Sequence, residues 1–147
     1  MLKGISPLFS PRLLATIYRM GHGDEIVLAD AHFPGHSISE RVIRADGLHI
    51  DQLLEAMLPL FVLDSYVDDP VVMMATVAGD NVDPSVESGY RTLIDTYAPG
   101  TPEIVFVERF AFYERARSAF SVVMTGDTRK YANLILKKGV TPLEDNR

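Results

Sequence analysis

The sequence predicts an α/β fold with a mixed, mainly parallel sheet that is covered by helices on both faces. Short apolar segments rich in β-branched residues alternate along the chain with amphipathic segments of helical period. The short segments are apolar almost throughout, as expected for strands buried on both faces. The two strands that close the sequence indicate that the sheet is mixed.

Helix starts are marked by capping residues and prolines. Ser10-Pro11 combines a side chain that can cap free N–H groups with a proline suited to the first helical position, and Asp83-Pro84 repeats this signal. Pro59 lies within the second apolar stripe, so we expect it to bend or shorten that helix. The predicted helices cover residues 11–20, 51–61, 84–97 and 110–117.

Five short apolar segments are predicted to be strands. The predicted strands cover residues 25–29, 71–77, 103–107, 120–124 and 134–137. The segment that follows the first strand, residues 30–37, is too rich in turn formers for a helix or a strand and is expected to be a loop.

No internal repeat or linker divides the chain, which predicts a single domain over residues 1–147.

Composition excludes several classes of function. The 147 residues carry 14 basic and 20 acidic side chains, a formal net charge of −6, which is the wrong sign for binding nucleic-acid phosphates. There is no cysteine, so disulfides, thiolate nucleophiles and Cys-based metal sites are excluded. The longest apolar run, residues 56–63, is far shorter than the roughly 20 residues of a membrane span, and the N-terminal segment is unlike a secretory signal. We therefore expect a cytoplasmic protein that binds neither nucleic acid nor membrane.

His22 is the first candidate for chemistry. It lies between Gly21 and Gly23, after a predicted helix and before a predicted strand, which is the reverse of the order in a dinucleotide-binding fingerprint. The flanking glycines shield the backbone little, so a ligand can approach an imidazole that titrates near neutral pH. The local sequence fits either a proton donor or an exposed turn histidine.

Asp30 falls at the carboxyl end of the first predicted strand, where open α/β sheets place ligand-binding loops. It fits a ligand rich in hydroxyls, or an Asx turn that caps its own loop. His32 and His36 could join it as ligands of zinc or manganese. However, Pro34-Gly35 between the two histidines disfavours the helix that would align them.

A dense charged and aromatic segment runs from Arg109 to Arg117. At helical spacing Arg109 and Tyr113 share a face, and a guanidinium beside a phenol could hold a sugar. The alternative is a salt-bridged surface helix whose Phe110 and Phe112 pack inward.

A second polar segment, Tyr131-Ala132-Asn133, lies between the last two predicted strands and presents a phenol and an amide. Alone, this segment would be interpreted as a turn.

Several blocks along the chain together resemble the fucose mutarotase family, which is related to the ribose pyranases. The similarity extends from the first residues to about Pro142, and blocks that occur in order are far less prone to chance than one motif. Ala132 departs from the glycine that is commoner in the family at its position. The matching blocks are Leu2-Lys3-Gly4-Ile5-Ser6-Pro7, Met20-Gly21-His22-Gly23-Asp24-Glu25-Ile26, Asp30-Ala31-His32-Phe33-Pro34, Ile43-Arg44-Ala45-Asp46-Gly47, Arg109-Phe110-Ala111-Phe112-Tyr113-Glu114-Arg115-Ala116 and Lys137-Lys138-Gly139-Val140.

The resemblance implies a three-layer α/β/α subunit in a ring, usually a decamer, with active sites near subunit boundaries. It implies an isomerase without metal or cofactor that interconverts the α and β anomers of L-fucose, or of a related pyranose such as ribose. In such an enzyme His22 is the proton donor. The sugar-binding residues that the resemblance implies are Asp30, Arg109, Tyr113, Tyr131, Ala132 and Asn133.

Two rival interpretations remain at this stage. One is a metal-dependent hydrolase or isomerase that uses Asp30, His32 and His36. The other is a sugar-binding module that does not accelerate anomer exchange.

Overall fold

A computed structural model of the protein describes residues 1–146 and confirms the α/β prediction. The strands are β1 (Glu25–Ala29), β2 (Val42–Ala45), β3 (Val71–Met74), β4 (Val105–Val107), β5 (Ser121–Thr125) and β6 (Leu134–Lys137). The helices are α1 (Pro11–Arg19), α2 (Gly35–Ile38), α3 (Ile50–Met57), α4 (Pro84–Tyr97) and α5 (Arg109–Ser118), with 3-10 turns at Leu58–Leu60 and Leu143–Asn146.

The six strands form one mixed sheet in the order β2-β5-β1-β6-β3-β4. β1 pairs in parallel with β5, β2 with β5 and β3 with β4, whereas β6 runs antiparallel to both β1 and β3. Five strands therefore end at the same edge, which we call the carboxyl end of the sheet, and β6 begins there. The opposite edge is called the amino end.

Helices cover both faces of the sheet, which confirms the three-layer architecture. Along β1, Ile26 and Leu28 pack with α1, α3 and α4, while Val27 and Ala29 pack with α5 on the other face. All four side chains are fully buried, because successive residues of a strand point to opposite faces. Because both faces of the sheet are buried, the strands are apolar throughout and do not alternate with polar residues.

The capping signals give the correct helix starts. Ser10 Oγ accepts a hydrogen bond from the Leu13 N–H at 3.1 Å, and Asp83 caps α4 in the same way through the Ser85 N–H at 2.9 Å. As expected, the second predicted helix is shortened: α3 ends at Met57 and Pro59 lies in the 3-10 turn that follows. Among residues 1–146, no helix is both long and apolar enough to cross a bilayer.

Three local predictions were wrong. β2 and the single-turn helix α2 were not predicted, and α2 occupies part of the expected loop. β3 ends at Met74 rather than at residue 77, because the Val77 carbonyl accepts from the Asp80 N–H at 3.0 Å in a turn. Apart from the shortened end of α3, the remaining strand and helix bounds differ from the predicted ones by at most two residues.

Candidate active site

A cleft of about 340 Å³ lies at the carboxyl end of the sheet. It brings together five of the seven predicted site residues: Asp30, Arg109, Tyr113, Tyr131 and Asn133. They come from three separate parts of the chain, and they meet because β1 and β4 end at this edge while β6 begins there. The other residues of the lining are His32, Phe33, Met74, Asp80 and Lys130.

Asp30 and Asn133 form a buried pair at this edge. Asn133 Nδ2 donates to Asp30 Oδ2 at 2.9 Å, and Asn133 Oδ1 accepts from the Asp30 N–H at 2.8 Å. The His32 N–H donates to the second carboxylate oxygen of Asp30 at 2.9 Å. Burial raises the pKa of Asp30, although these hydrogen bonds and the neighbouring His32 oppose that rise. The Asx turn and the cleft lining are both present, so the two interpretations of Asp30 are compatible.

Arg109 and Tyr113 reach the cleft from the first two turns of α5. The helix begins there because Glu108 accepts from the N–H groups of Phe110 and Ala111 at 2.9 and 3.3 Å. The Arg109 guanidinium lies 4.7 Å from the centre of the Phe110 ring. The alternative of two inward phenylalanines is wrong in part, since Phe112 is buried but Phe110 is 61% exposed.

Residues 130–133, the Tyr131 loop, are held by a hydrogen bond from α4. Tyr131 has a φ of 59° and is the only non-glycine residue of the described chain with a positive φ. Ala132 therefore has an ordinary backbone, and alanine in place of the commoner glycine causes no strain there. The buried Ala132 carbonyl accepts from the Tyr90 hydroxyl of α4 at 2.8 Å. Ala132 itself is buried and does not line the cleft, and its fixed backbone lies between Tyr131 and Asn133, which do.

His22 lies at the other end of the sheet. It precedes β1, whereas Asp30 follows it, and five residues of strand span about 16 Å. Proton transfer requires heavy atoms within about 2.6–3.2 Å. Within one chain, the structure does not bring His22 together with the other predicted site residues.

His22 is paired with Asp64, which sequence reasoning missed. Asp64 Oδ1 lies 3.2 Å from His22 Nε2 and accepts from the Tyr66 N–H at 3.0 Å. The hydrogen bond from Tyr66, followed by that from His22, holds the pKa of Asp64 below its usual value despite its burial. An ionised carboxylate only accepts, so Nε2 donates to Asp64 and Nδ1 is the ring nitrogen that faces away from this bond.

The block Lys137-Lys138-Gly139 builds the surroundings of His22. The carbonyls of Lys137 and Lys138 accept from the N–H groups of Asp64 and Gly23 at 3.0 and 2.8 Å. Lys138 Nζ donates to the Ile17 carbonyl in the last turn of α1 at 3.0 Å and to the carbonyl of Met20, the residue that follows this helix, at 2.6 Å. A side chain at Gly139 would lie 2.9 Å from the Asp64 Cα, which explains the glycine. These contacts hold the turn of His22 next to Asp64.

The proposed metal ligands do not converge. Asp30, His32 and His36 form no group of ligand atoms within 4.8 Å, and His32 Nε2 instead lies 3.3 Å from the Thr128 carbonyl. In residues 1–146 such a group is formed by His49, Asp51 and Asp127. Arg129 already occupies it, with its Nη2 atom 2.5 Å from Asp127 and 3.3 Å from Asp51. The metal-dependent interpretation based on Asp30 therefore loses its geometric support.

The fold and the cleft define a class of α/β protein that binds a small polar ligand at the carboxyl ends of its strands. Carboxylate, guanidinium, phenol and amide groups line the cleft and can both donate to and accept from hydroxyls.

The sequence profile of the RbsD / FucU transport protein family matches residues 3–141, and the chain belongs to this family. An L-fucose mutarotase of Haemophilus influenzae is 57% identical over 143 residues, which cover 97% of this chain and 99% of that protein.

Solved structures give the same relationship. The fucose mutarotase of Streptococcus pneumoniae in complex with L-fucose superimposes with a TM-score of 0.91 at 46% identity, covering 96% of this chain and all of that one. Bacillus subtilis RbsD complexed with D-ribose gives a TM-score of 0.73 at 21% identity over 97% of this chain and all of that one. The second likeness concerns the fold alone.

Proposed function

We propose that this protein is an isomerase that interconverts the α and β anomers of L-fucose. The observation that carries the proposal is the assembly of Asp30, Arg109, Tyr113, Tyr131 and Asn133 in one cleft. Their hydrogen-bonding groups suit the hydroxyls of a monosaccharide. The 57% identity to an L-fucose mutarotase over nearly the whole chain supports the choice of sugar.

Anomer exchange requires one proton to be delivered and another to be removed. The ring oxygen gains a proton as its bond to the anomeric carbon breaks, and the anomeric hydroxyl loses a proton as it becomes the aldehyde carbonyl. Rotation about the adjacent carbon–carbon bond and the reverse proton transfers close the ring on the other face. No proton is gained or lost overall, so no cofactor or metal is required by this scheme.

We assign the proton delivery to Nδ1 of His22 in its doubly protonated form, in which Nε2 keeps its hydrogen bond to Asp64. A water molecule accepts the proton of the anomeric hydroxyl, and the reverse transfers on ring closure restore both groups. Asp64 engages Nε2 and fixes the orientation of the ring, and the tilted Tyr66 ring lies 5.4 Å from the imidazole. A positioned acid or base typically contributes about 10²–10⁴-fold to a rate. Because anomers already interconvert in water without a catalyst, a contribution of this size is sufficient.

Since His22 and the cleft lie at opposite ends of one sheet, we propose that a neighbouring copy supplies His22 to each cleft. Head-to-tail contacts of this kind generate a ring when the rotation between copies closes, which agrees with the decameric ring that the resemblance implies. Exposed aromatic side chains, which are enriched at protein interfaces, lie at both ends. Tyr18 and Tyr66 are 88% and 77% exposed near His22, and Phe110 is 61% exposed beside Arg109.

The activity is tested by magnetisation-transfer NMR between the anomeric protons of L-fucose, D-ribose and D-galactose. We expect the wild-type protein to accelerate exchange of L-fucose, also after treatment with a chelator. His22→Gln should bind the sugar but lose most of the acceleration. A variant that exchanges anomers at the wild-type rate would remove His22 from the mechanism.

Sharing of the site is tested by co-expressing His22→Gln with Arg109→Ala. In a randomly mixed head-to-tail ring, about a quarter of the clefts combine an intact His22 with an intact Arg109. We therefore expect the mixed protein to recover about a quarter of the wild-type acceleration. Activity no higher than that of the separate variants would contradict a shared site.

A sugar-binding module without catalysis is the second candidate. It is favoured by the position of His22, which lies outside the cleft of a single chain. The histidine that does line the cleft, His32, has its Nε2 atom 3.3 Å from the Thr128 carbonyl. This candidate predicts saturable binding of fucose with no acceleration of exchange, so the same NMR measurement separates the two. For either candidate, the absence of cysteine agrees with the proposed cytoplasmic location.

A further inference from the structure

A second carboxylate lines the cleft and has no part in the scheme above. Asp80 lies in residues 75–83, the Asp80 loop, which connects β3 to α4. The loop turns back at this point, because the Asp80 N–H donates to the Val77 carbonyl at 3.0 Å and Gly79 has a φ of 85°. Asp80 is thereby placed next to the Tyr131 loop.

Asp80 makes one strong contact with a predicted sugar-binding residue. Its Oδ2 atom accepts from the Tyr131 hydroxyl at 2.8 Å. Its Oδ1 atom accepts from the Asn81 N–H at 2.9 Å and from Lys130 Nζ at 3.3 Å, so the carboxylate itself is fixed on its other side. The hydrogen bond from Tyr131 is the main cause that lowers the pKa of Asp80, and Asp80 in turn raises the pKa of the Tyr131 phenol.

The backbone of Tyr131 gives this contact its significance. A φ of 59° is sparsely populated for a residue with a side chain, and it persists only where the surroundings impose it. Tyr90 restrains the next residue through the Ala132 carbonyl, and Asp30 restrains Asn133. The Tyr131 ring packs against the apolar cluster that contains Phe33 and Met74, and Asp80 restrains its hydroxyl.

We propose that Asp80 is a positioning residue for sugar binding that holds the Tyr131 phenol in its binding orientation. The proposal rests on the proposed function of the cleft. Tyr131 donates its single hydroxyl proton to Asp80, so its oxygen lone pairs remain to accept from a sugar hydroxyl. Without Asp80 the phenol would rotate and bind water. Its ordering on sugar binding would then cost free energy, and the affinity for the sugar would fall.

The test compares Asp80→Asn, Tyr131→Phe and the double variant. L-fucose affinity is measured by calorimetry, and kcat and KM by NMR exchange. We expect Asp80→Asn to weaken binding by about three- to tenfold, with kcat changed by less than about twofold. Asp80→Glu should restore part of the loss. Asn81→Ala, which changes the adjacent exposed side chain of the same loop, is the matched control and should bind like the wild type.

The double variant separates positioning from direct contact with the sugar. If Asp80 acts through the Tyr131 hydroxyl, Asp80→Asn should cost less than about twofold in the Tyr131→Phe background. An equal loss in both backgrounds, or a fall in kcat at unchanged affinity, would overturn the proposal.

The binding measurement also keeps this proposal distinct from the proposed function. A wild-type protein that binds L-fucose without accelerating exchange overturns the catalytic function. The fucose affinities of the Asp80 and Tyr131 single and double variants still decide the role of Asp80. Accelerated exchange with wild-type affinity in Asp80→Asn overturns the role of Asp80 alone. Absence of any sugar binding by the wild type overturns both.

Discussion

Replacing Asp64 by asparagine isolates the charge that faces His22. Asparagine keeps the size of the side chain and an oxygen that can accept from the Tyr66 N–H, so the fold should be preserved. A hydrogen bond to a charged group contributes about 1.5–3 kcal/mol. The His22 side chain is 48% exposed, and solvent screening reduces this contribution to roughly 1–1.5 kcal/mol. We therefore expect kcat to fall by about 5- to 12-fold.

The assay is anomer exchange of L-fucose followed by NMR over a range of sugar concentrations. Because Asp64 acts through His22, KM should change little and the loss should lie in kcat. Asp68→Asn, an exposed aspartate four residues further along the chain, is the matched control and should exchange at the wild-type rate. A folded Asp64→Asn protein with wild-type kcat would refute the inference that this carboxylate orients the imidazole.

Three further predictions concern the cleft and its supports. Because burial raises the pKa of Asp30 above 3.8, fucose affinity measured by calorimetry should fall as the pH drops through that raised value, and Asp30→Asn should bind weakly without this step. Burial alone would raise the pKa of Asp127, but hydrogen bonds from Arg129 lower it below 3.8. The ionised Asp127 carboxylate therefore stabilises the fold above pH 3.8, and this stabilisation is lost as the pH falls through the lowered pKa. The free energy of unfolding in urea should consequently decrease less at acid pH in Asp127→Asn than in the wild type. Tyr90→Phe leaves the buried Ala132 carbonyl unpaired and should lower the free energy of unfolding in urea by about 1–3 kcal/mol, whereas an unchanged midpoint would contradict that hydrogen bond.

Most of the fold follows from local sequence signals. The capping residues Ser10 and Asp83 predict the starts of two helices, and Pro59 predicts the end of a third. β2 was missed because Val42–Ala45 is a four-residue strand whose third side chain, Arg44, is exposed. Such a short segment becomes a strand through its pairing with β5, which no local pattern records.

The site could be predicted only in part, for a topological reason. A strand-end aspartate has a recognisable position, so Asp30 could be placed at the carboxyl end of the sheet, and helical spacing put Arg109 and Tyr113 on one face. Asp64 and Asp80 had no such signal, since their partners His22 and Tyr131 lie 42 and 51 residues away along the chain. The opposite locations of His22 and Asp30 were implicit in their order around β1, but the possibility of completing one site from two chains came only from the family resemblance.

The reversed strand β6 has a consequence for synthesis of the protein. It lies in the middle of the sheet, between β1 and β3, yet among the six strands of the sheet it is the last to leave the ribosome. Until it arrives, the halves β2-β5-β1 and β3-β4 each keep an open inner edge, which is prone to pairing with other chains. The sheet can therefore be completed only after translation has passed residue 137, and a nascent chain stalled before Leu134 should require chaperones to remain unaggregated.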